Sequence, residues 1–137
     1  MFTLTSENIN VESLKKTITN PQSGAFVSFE GWVRNHNNEK NVIELHYEAH
    51  EKLACQLGTQ IMLSAQQKYS INQAICCHRI GALKVGEMAI WIGVSADHRQ
   101  AAFLACEYIL NETKANVPIW KNEHYTDGNS GWVEANI

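Results

Sequence analysis

The sequence predicts an α+β fold with a mainly antiparallel sheet and two long helices. Strand-like runs come in neighbouring pairs around turn signals instead of alternating regularly with helices. Two longer stretches, 51–69 and 97–114, repeat apolar side chains at helical spacing. The size agrees: 137 residues, 45% hydrophobic and 18% charged, fit one compact domain over residues 1–137 around one core.

Phe2–Thr5 reads as a short strand. Asn10 stands at an N-cap position ahead of a short helix with Val11, Leu14 and Ile18 on one stripe, which NPQSG at 20–24 ends. The run AFVSFEGWVR at 25–34 alternates as a strand, with Ala25, Val27, Phe29, Gly31 and Val33 on one side, and delivers Arg34 to a loop. That loop, NHNNEKN at 35–41, is too polar to pack and is expected to be mobile, and VIELHYEA at 42–49 returns as an antiparallel strand.

In the helix over 51–69, Leu53, Leu57, Ile61 and Ala65 recur every four residues, Ala54 and Met62 widen the stripe, and Gly58 weakens it. Strands at 74–80 and 88–95 flank GALKVGE, whose glycines and charged side chains signal a turn. Ser95 is placed to cap a helix over 97–114, with Ala102, Cys106, Ile109 and Thr113 on one side and Phe103 and Leu110 beside them, and Pro118 prevents its continuation. IWKNEHY and WVEA then read as two short strands around a turn at 127–128.

Composition narrows the function. Fourteen acidic against eleven basic side chains give a net charge of −3, which argues against nucleic-acid binding as the main role, so any anion site must be local. No apolar run approaches the roughly 20 residues of a membrane span, and the opening MFTLTSENINVESLKK lacks signal-peptide features, so a soluble, cytoplasmic protein without membrane partners is expected. Cys55, Cys76, Cys77 and Cys106 show neither CxxC nor zinc-finger spacing and read as reduced, mostly buried thiols, Cys76 and Cys77 pointing to opposite faces of a strand, one inward and one outward.

The chemically loaded residues fall where elements end: Arg34 after a strand, His98 and Arg99 in a first helical turn, Lys114 in its last turn and Lys121 just past Pro118. Cations at a helix N-terminus oppose the dipole unless an anion offsets them, so His98 and Arg99 suggest a bound phosphate or carboxylate, although a solvated arginine beside a packed histidine fits too. Lys114 suits a helix C-terminus for dipole reasons alone. Lys121 lies opposite Trp120 in strand alternation, which lets its ammonium enter a cleft, where desolvation and other cations would lower its pKa and suit it to proton transfer. His46 and His50 have i, i+4 spacing, but His46 belongs to a strand and no HExxH frame surrounds the pair, so no metal is assigned. His36 and His124 read as exposed, while His78 and Arg79 should diverge to opposite faces of their strand.

The segments VRNHN (33–37), YEAH (47–50), HRIGALKVGE (78–87), VSADHRQAAF (94–103) and KANVPIWK (114–121), with DG and WV after them, strongly resemble the large, catalytic subunit family of molybdopterin synthase, over about 24–133. The resemblance implies an α/β hammerhead-type fold, a homodimer at the centre of a heterotetramer, and a small ubiquitin-like sulfur-carrier subunit at each end. In that family the carrier's Gly-Gly tail bears a C-terminal thiocarboxylate, and sulfur passes from two such tails to cyclic pyranopterin monophosphate, forming the dithiolene of molybdopterin. Sulfur arrives already activated, so no cofactor is implied for this subunit. By motif, Arg34, His98 and Arg99 match substrate-phosphate positions, the last two contributed by the neighbouring protomer, while Lys114 and Lys121 match catalytic positions, Lys114 at the thiocarboxylate end of the carrier tail and Lys121 for proton transfer during ring opening. Residues around Trp120 and Trp132 would help dock the carrier, or serve as core. The sequence ends at WVEANI, where the resemblance implies a longer C-terminal extension in many relatives. Two other readings stay open: a non-catalytic member that binds a ubiquitin-like partner or phosphorylated ligand, and a small phosphoesterase using His98 and Lys121.

Overall fold

Nearly every residue of the run 88–96 is apolar or small, so both faces of that strand must be covered. The computed structural model, which describes residues 1–135, shows how. In chain order the elements are β1 (Phe2–Thr5), α1 (Val11–Ile18), β2 (Ala25–Trp32), β3 (His36–Asn37), β4 (Lys40–Ala49), α2 (Glu51–Lys68), β5 (Gln73–Arg79), β6 (Gly81–Lys84), β7 (Met88–Ala96), α3 (Arg99–Asn116), β8 (Ile119–Tyr125) and β9 (Gly128–Glu134). A four-stranded sheet runs β1-β5-β7-β2, antiparallel except where β1 joins β5 in parallel. One face carries Ile75 and Trp91 against Val11, Leu14 and Ile18 of α1. The other carries Ile90, Ile92 and Val94 against Ala54, Ile61, Met62 and Ala65 of α2 and Ala102, Ala105 and Ile109 of α3. Each large aliphatic side chain so buried stabilises the fold by about 1.5–3 kcal/mol.

The second sheet runs β3-β4-β8-β9, with β6 also paired to β4. The chain crosses between the sheets where β5 ends at Arg79 and β6 begins at Gly81, whose φ of +91° is a conformation that favours glycine. Arg79 fastens this corner. Its guanidinium, 5% exposed, donates to Asn8 Oδ1 at 3.0 Å, Ser6 O at 3.3 Å and Ala82 O at 3.4 Å, with Glu87 at 3.8 Å.

The architecture is the expected mixed fold with two long helices, and Asn10 caps α1 by accepting from the Ser13 N–H at 3.1 Å. Several local expectations change. Residues 35–41 form a β3–β4 hairpin in place of a mobile loop, with Asn38 (φ 49°) and Glu39 (φ 65°) in the left-handed turn that suits a twisted two-residue connection. GALKVGE holds strand β6, whose partner is β4, a pairing invisible to local patterning. Cys77 is buried like Cys76, because the sheet is covered on both faces. His78 and Arg79 do diverge, His78 towards Tyr47 and Arg79 towards Asn8, and both are buried.

Ser95 caps nothing. It lies buried in β7, and His98 occupies the N-cap of α3 without a side-chain capping bond. The buried stripe of α2 is Ala54, Gly58, Ile61, Met62 and Ala65, whereas Leu53 is 40% exposed. Gly58 sits there because the Phe2 ring packs onto the helix backbone, and a Cβ at that position would overlap the ring.

Among the described residues no helix is long and apolar enough to cross a membrane. The final two residues of the WVEANI end lie outside the described residues. Replacing an interior helical glycine by alanine ordinarily gains up to about 1 kcal/mol. Gly58→Ala is expected instead to destabilise the fold by about 1–3 kcal/mol through overpacking against Phe2, read by urea denaturation. A gain would show that the ring has another place to go.

Candidate active site

The pairing of β4 with β8 sets which side chains meet. Tyr47 lies opposite Lys121 and Leu45 opposite Glu123, so all four share one face of the sheet. Together with Val33, Arg34, His36 and Asn37 from the end of β2 and the β3 hairpin, they line a cleft of about 160 Å³. Lys121 and Glu123, two apart on one strand, form an ion pair at 3.2 Å with side chains only 12% and 4% exposed. Asn37 donates from Nδ2 to the same Glu123 oxygen, Oε1, at 2.6 Å, tying the β3 hairpin to the cleft floor. Burial, reinforced by the Glu123 charge, holds the Tyr47 phenol well above its usual pKa. Arg34 is exposed at the cleft wall.

Lys114, in the last turn of α3, lines an adjoining crevice with His78, Thr113, Val117 and Ile119. Its pKa is lowered, first by partial burial and then by the charge of Lys121. The two lysines, separated in sequence by a helix end and a proline, are therefore electrostatic neighbours. Next to them, His78 packs edge-on against Tyr47 with ring centroids 4.9 Å apart. Its Nδ1 lies 2.7 Å from the carbonyl oxygen of Arg79, an acceptor only, so that nitrogen carries the proton. Burial pushes the His78 pKa down to about 4, and the ring is neutral near pH 7.

His98 and Arg99 stand elsewhere, at the other end of α3, exposed in a shallow recess with Gln100, Phe103 and Leu104. The fifteen residues from Arg99 to Lys114, at 1.5 Å each, put about 22 Å between them along the helix axis. Within one chain the structure thus brings Arg34, Lys114 and Lys121 into one region and leaves His98 and Arg99 apart.

Sequence reasoning missed Glu123, Asn37 and Tyr47. The signal for Glu123 was present, since i, i+2 spacing from Lys121 on a strand puts both side chains on one face. Asn37 and Tyr47 needed the strand pairing. Two cations at the cleft with one buried carboxylate suit an anionic ligand at the mouth, and neighbouring amines of shared charge suit proton transfer or oxyanion stabilisation further in. The three cysteines of the core are unsuited to nucleophilic work: burial pushes Cys76 up to about 12 and Cys106 up to about 11, and raises Cys77. Trp32, Trp120 and Trp132 are exposed at 63%, 38% and 52%, so the last two are surface residues and not core.

A family model described as MoaE protein matches residues 4–116. The molybdopterin synthase catalytic subunit of Thermoplasma volcanium is 40% identical over 129 residues, 94% of each chain. That of Bacillus subtilis is 40% identical over 132 residues, covering 96% of this chain and 83% of its own. The crystal structure of molybdopterin synthase from Staphylococcus aureus matches with a TM-score of 0.91 at 33% identity, over 96% of both chains. A complex of subunits 1 and 2 of molybdopterin-converting factor from Helicobacter pylori matches with a TM-score of 0.78 at 19% identity, over 93% of this chain and 87% of that one, a likeness of fold.

Two measurements probe these electrostatics. His78 is held below its unfolded value of 6.5, so its neutral form contributes stability that is full above about pH 6.5 and lost as pH falls towards about 4. Native and His78→Gln proteins, melted across that window, should differ in slope by up to about 1.4 kcal/mol per pH unit, and parallel curves would remove His78 as the cause. Removing the neighbouring charge in Lys121→Met should raise the pKa of Lys114, read as slower acylation of that amine at a fixed mildly alkaline pH and mapped by peptide mass spectrometry. Unchanged labelling would mean that the two ammonium groups do not sense each other.

Proposed function

Because the chain belongs to the MoaE family, whose members make molybdopterin, we propose that it acts as the catalytic subunit of molybdopterin synthase by transferring sulfur from a carrier's C-terminal thiocarboxylate to cyclic pyranopterin monophosphate. The observation that carries the chemical reading is the joining of Arg34, Lys121 and Lys114 in one cationic region next to a buried carboxylate. The substrate phosphate is an anion that Arg34 can hold by charge-assisted hydrogen bonds at the cleft mouth. The thiocarboxylate sulfur bonds to a substrate carbon, and water then adds to the acyl carbon. Lys114 stabilises the tetrahedral oxyanion and the thiolate released on the substrate as the acyl C–S bond breaks and the tail departs as a carboxylate. Lys121, held by Glu123, moves protons during opening of the substrate ring. The small ubiquitin-like subunit docks its extended Gly-Gly tail into this region, with exposed Trp120 and Trp132 as candidate anchors.

The length of α3 supports the rest of the assignment. His98 and Arg99 lie about 22 Å from Lys114 in their own chain, so they reach a substrate held near Lys114 only from a second copy. The working unit is then a homodimer with two composite sites, each with Arg34, Lys114 and Lys121 from one protomer and His98 and Arg99 from its partner. Residues 1–137 act as one large-subunit domain, in the cytoplasm, with no cofactor of its own.

The test mixes the purified chain with thiocarboxylated carrier and cyclic pyranopterin monophosphate and reads molybdopterin as its oxidised fluorescent derivative. Lys114→Ala and Lys121→Ala are each expected to lower turnover by about a hundredfold or more, while Arg34→Ala and Arg99→Ala mainly raise KM for the phosphorylated substrate. Full turnover in both lysine variants would sink their roles. Carrier binding without product from the native chain would favour a non-catalytic binding module, and hydrolysis of a simple cyclic phosphate without carrier would favour a phosphoesterase.

A further inference from the structure

The face of the β4–β8 pair turned away from Lys121 carries a second cluster. Glu44 lies opposite His124 and His46 opposite Asn122, so these four side chains form one patch on that face. The His46 and His124 rings stack at 4.3 Å with planes 9° apart. His46 Nε2 lies 3.4 Å from Glu44 Oε1. One ligand atom from each of Glu44, His46 and His124 falls within 4.8 Å of the others, and all three residues are half-buried. Two buried polar atoms of the patch, His46 Nε2 and Asn122 Oδ1, have no hydrogen-bond partner among the described residues.

We propose that Glu44, His46 and His124 form a binding site for a borderline divalent transition cation, with Zn²⁺ as the reference ion. Two imidazoles and one carboxylate are a ligand set that zinc takes with water in the fourth position. Ligand atoms around a tetrahedral zinc, at about 2.0–2.1 Å from the ion, stand about 3.4 Å apart, the separation already present between His46 Nε2 and Glu44 Oε1. The remaining pairs need a closure of at most about 1.4 Å from their 4.8 Å limit, and the stacked rings must turn out of their parallel arrangement about the soft χ2 torsion so that both in-plane nitrogen lone pairs meet at the ion. Binding satisfies the orphaned His46 nitrogen, and Asn122 Oδ1 can accept a hydrogen bond from the metal-bound water. Calcium and magnesium are disfavoured because they prefer all-oxygen shells.

Such an ion would clip β4 to β8 from behind, across the two strands that carry Tyr47, Lys121 and Glu123 on the other face. It would lie outside the cleft and contribute no group to the sulfur chemistry. Its readout is therefore binding and stability, and it stands or falls apart from the proposed reaction.

The full chain, stripped by chelator and gel filtration, is titrated with Zn²⁺ by calorimetry and with Co²⁺ by visible absorption. Expected are one ion per chain and cobalt d–d bands without a thiolate charge-transfer band. Zn²⁺ should raise Tm in the native protein and leave it unmoved in His46→Gln and His124→Gln, which keep size and polarity should the alanine variants fold poorly. Asn122→Leu should bind about tenfold more weakly. Failure of the native chain to take up either ion, undiminished uptake in the His46→Gln/His124→Gln double variant, or a thiolate band pointing to Cys55 would each overturn the proposal.

Discussion

Slipping β4 against β8 by one residue would turn the partners of Lys121 and Glu123 to the wrong face and dismantle both sides of the second sheet at once. The observed register puts Tyr47 and Leu45 with Lys121 and Glu123 on the cleft side and Glu44, His46, Asn122 and His124 on the other. It is held from several directions. Strand β6 pairs with β4 at Glu44–Tyr47, strand β9 pairs with β8, and the β3 hairpin reaches over to Glu123 through Asn37. The four-stranded sheet supplies the rigid base, because β7 is buried on both faces and its neighbour β5 leads through the Arg79 corner into β6.

The Lys121–Glu123 pair shows why such bracing matters. Taking two opposite charges out of water is expensive, and their attraction compensates only when geometry is good and further hydrogen bonds complete the site. Here Asn37 supplies one of those bonds and burial withdraws most competing water. The pKa of Lys114 is lowered first by its partial burial in the adjoining crevice and then by the charge of Lys121. A cationic site poised in this way gains when an anion arrives, which agrees with the phosphorylated, thiocarboxylate-bearing ligands of the proposed reaction.

What the sequence revealed was local. The cap at Asn10, the strand at 25–32, the two long helices and the final hairpin all follow from side-chain period and turn chemistry within a short window. What it concealed was pairing. GALK looks like a turn until β4 is beside it, and NHNNEKN looks like a mobile loop until Asn37 finds Glu123. The Leu53 stripe misleads because leucine outranks alanine in hydrophobicity, whereas α2 approaches its neighbours through its small residues, Ala54, Gly58 and Ala65. His50 escaped notice as a cap: its Nδ1 accepts from the Leu53 N–H at 3.2 Å, a role that histidine seldom signals. Among the candidate site residues, position at element ends picked out Arg34, Lys114 and Lys121, but only the fold brings those three together and sets His98 and Arg99 apart.

The rigid span of α3 has a genetic corollary on the proposed composite-site reading. A lesion at Lys114 and a lesion at Arg99 would strike opposite ends of the same helix, and therefore different sites of a dimer. A mixed dimer of the two defective chains would gather both lesions into one site and leave the other whole. Two alleles, each defective alone, would then restore part of each other's function in one cell, whereas two alleles altered at Lys114 and Lys121 would not.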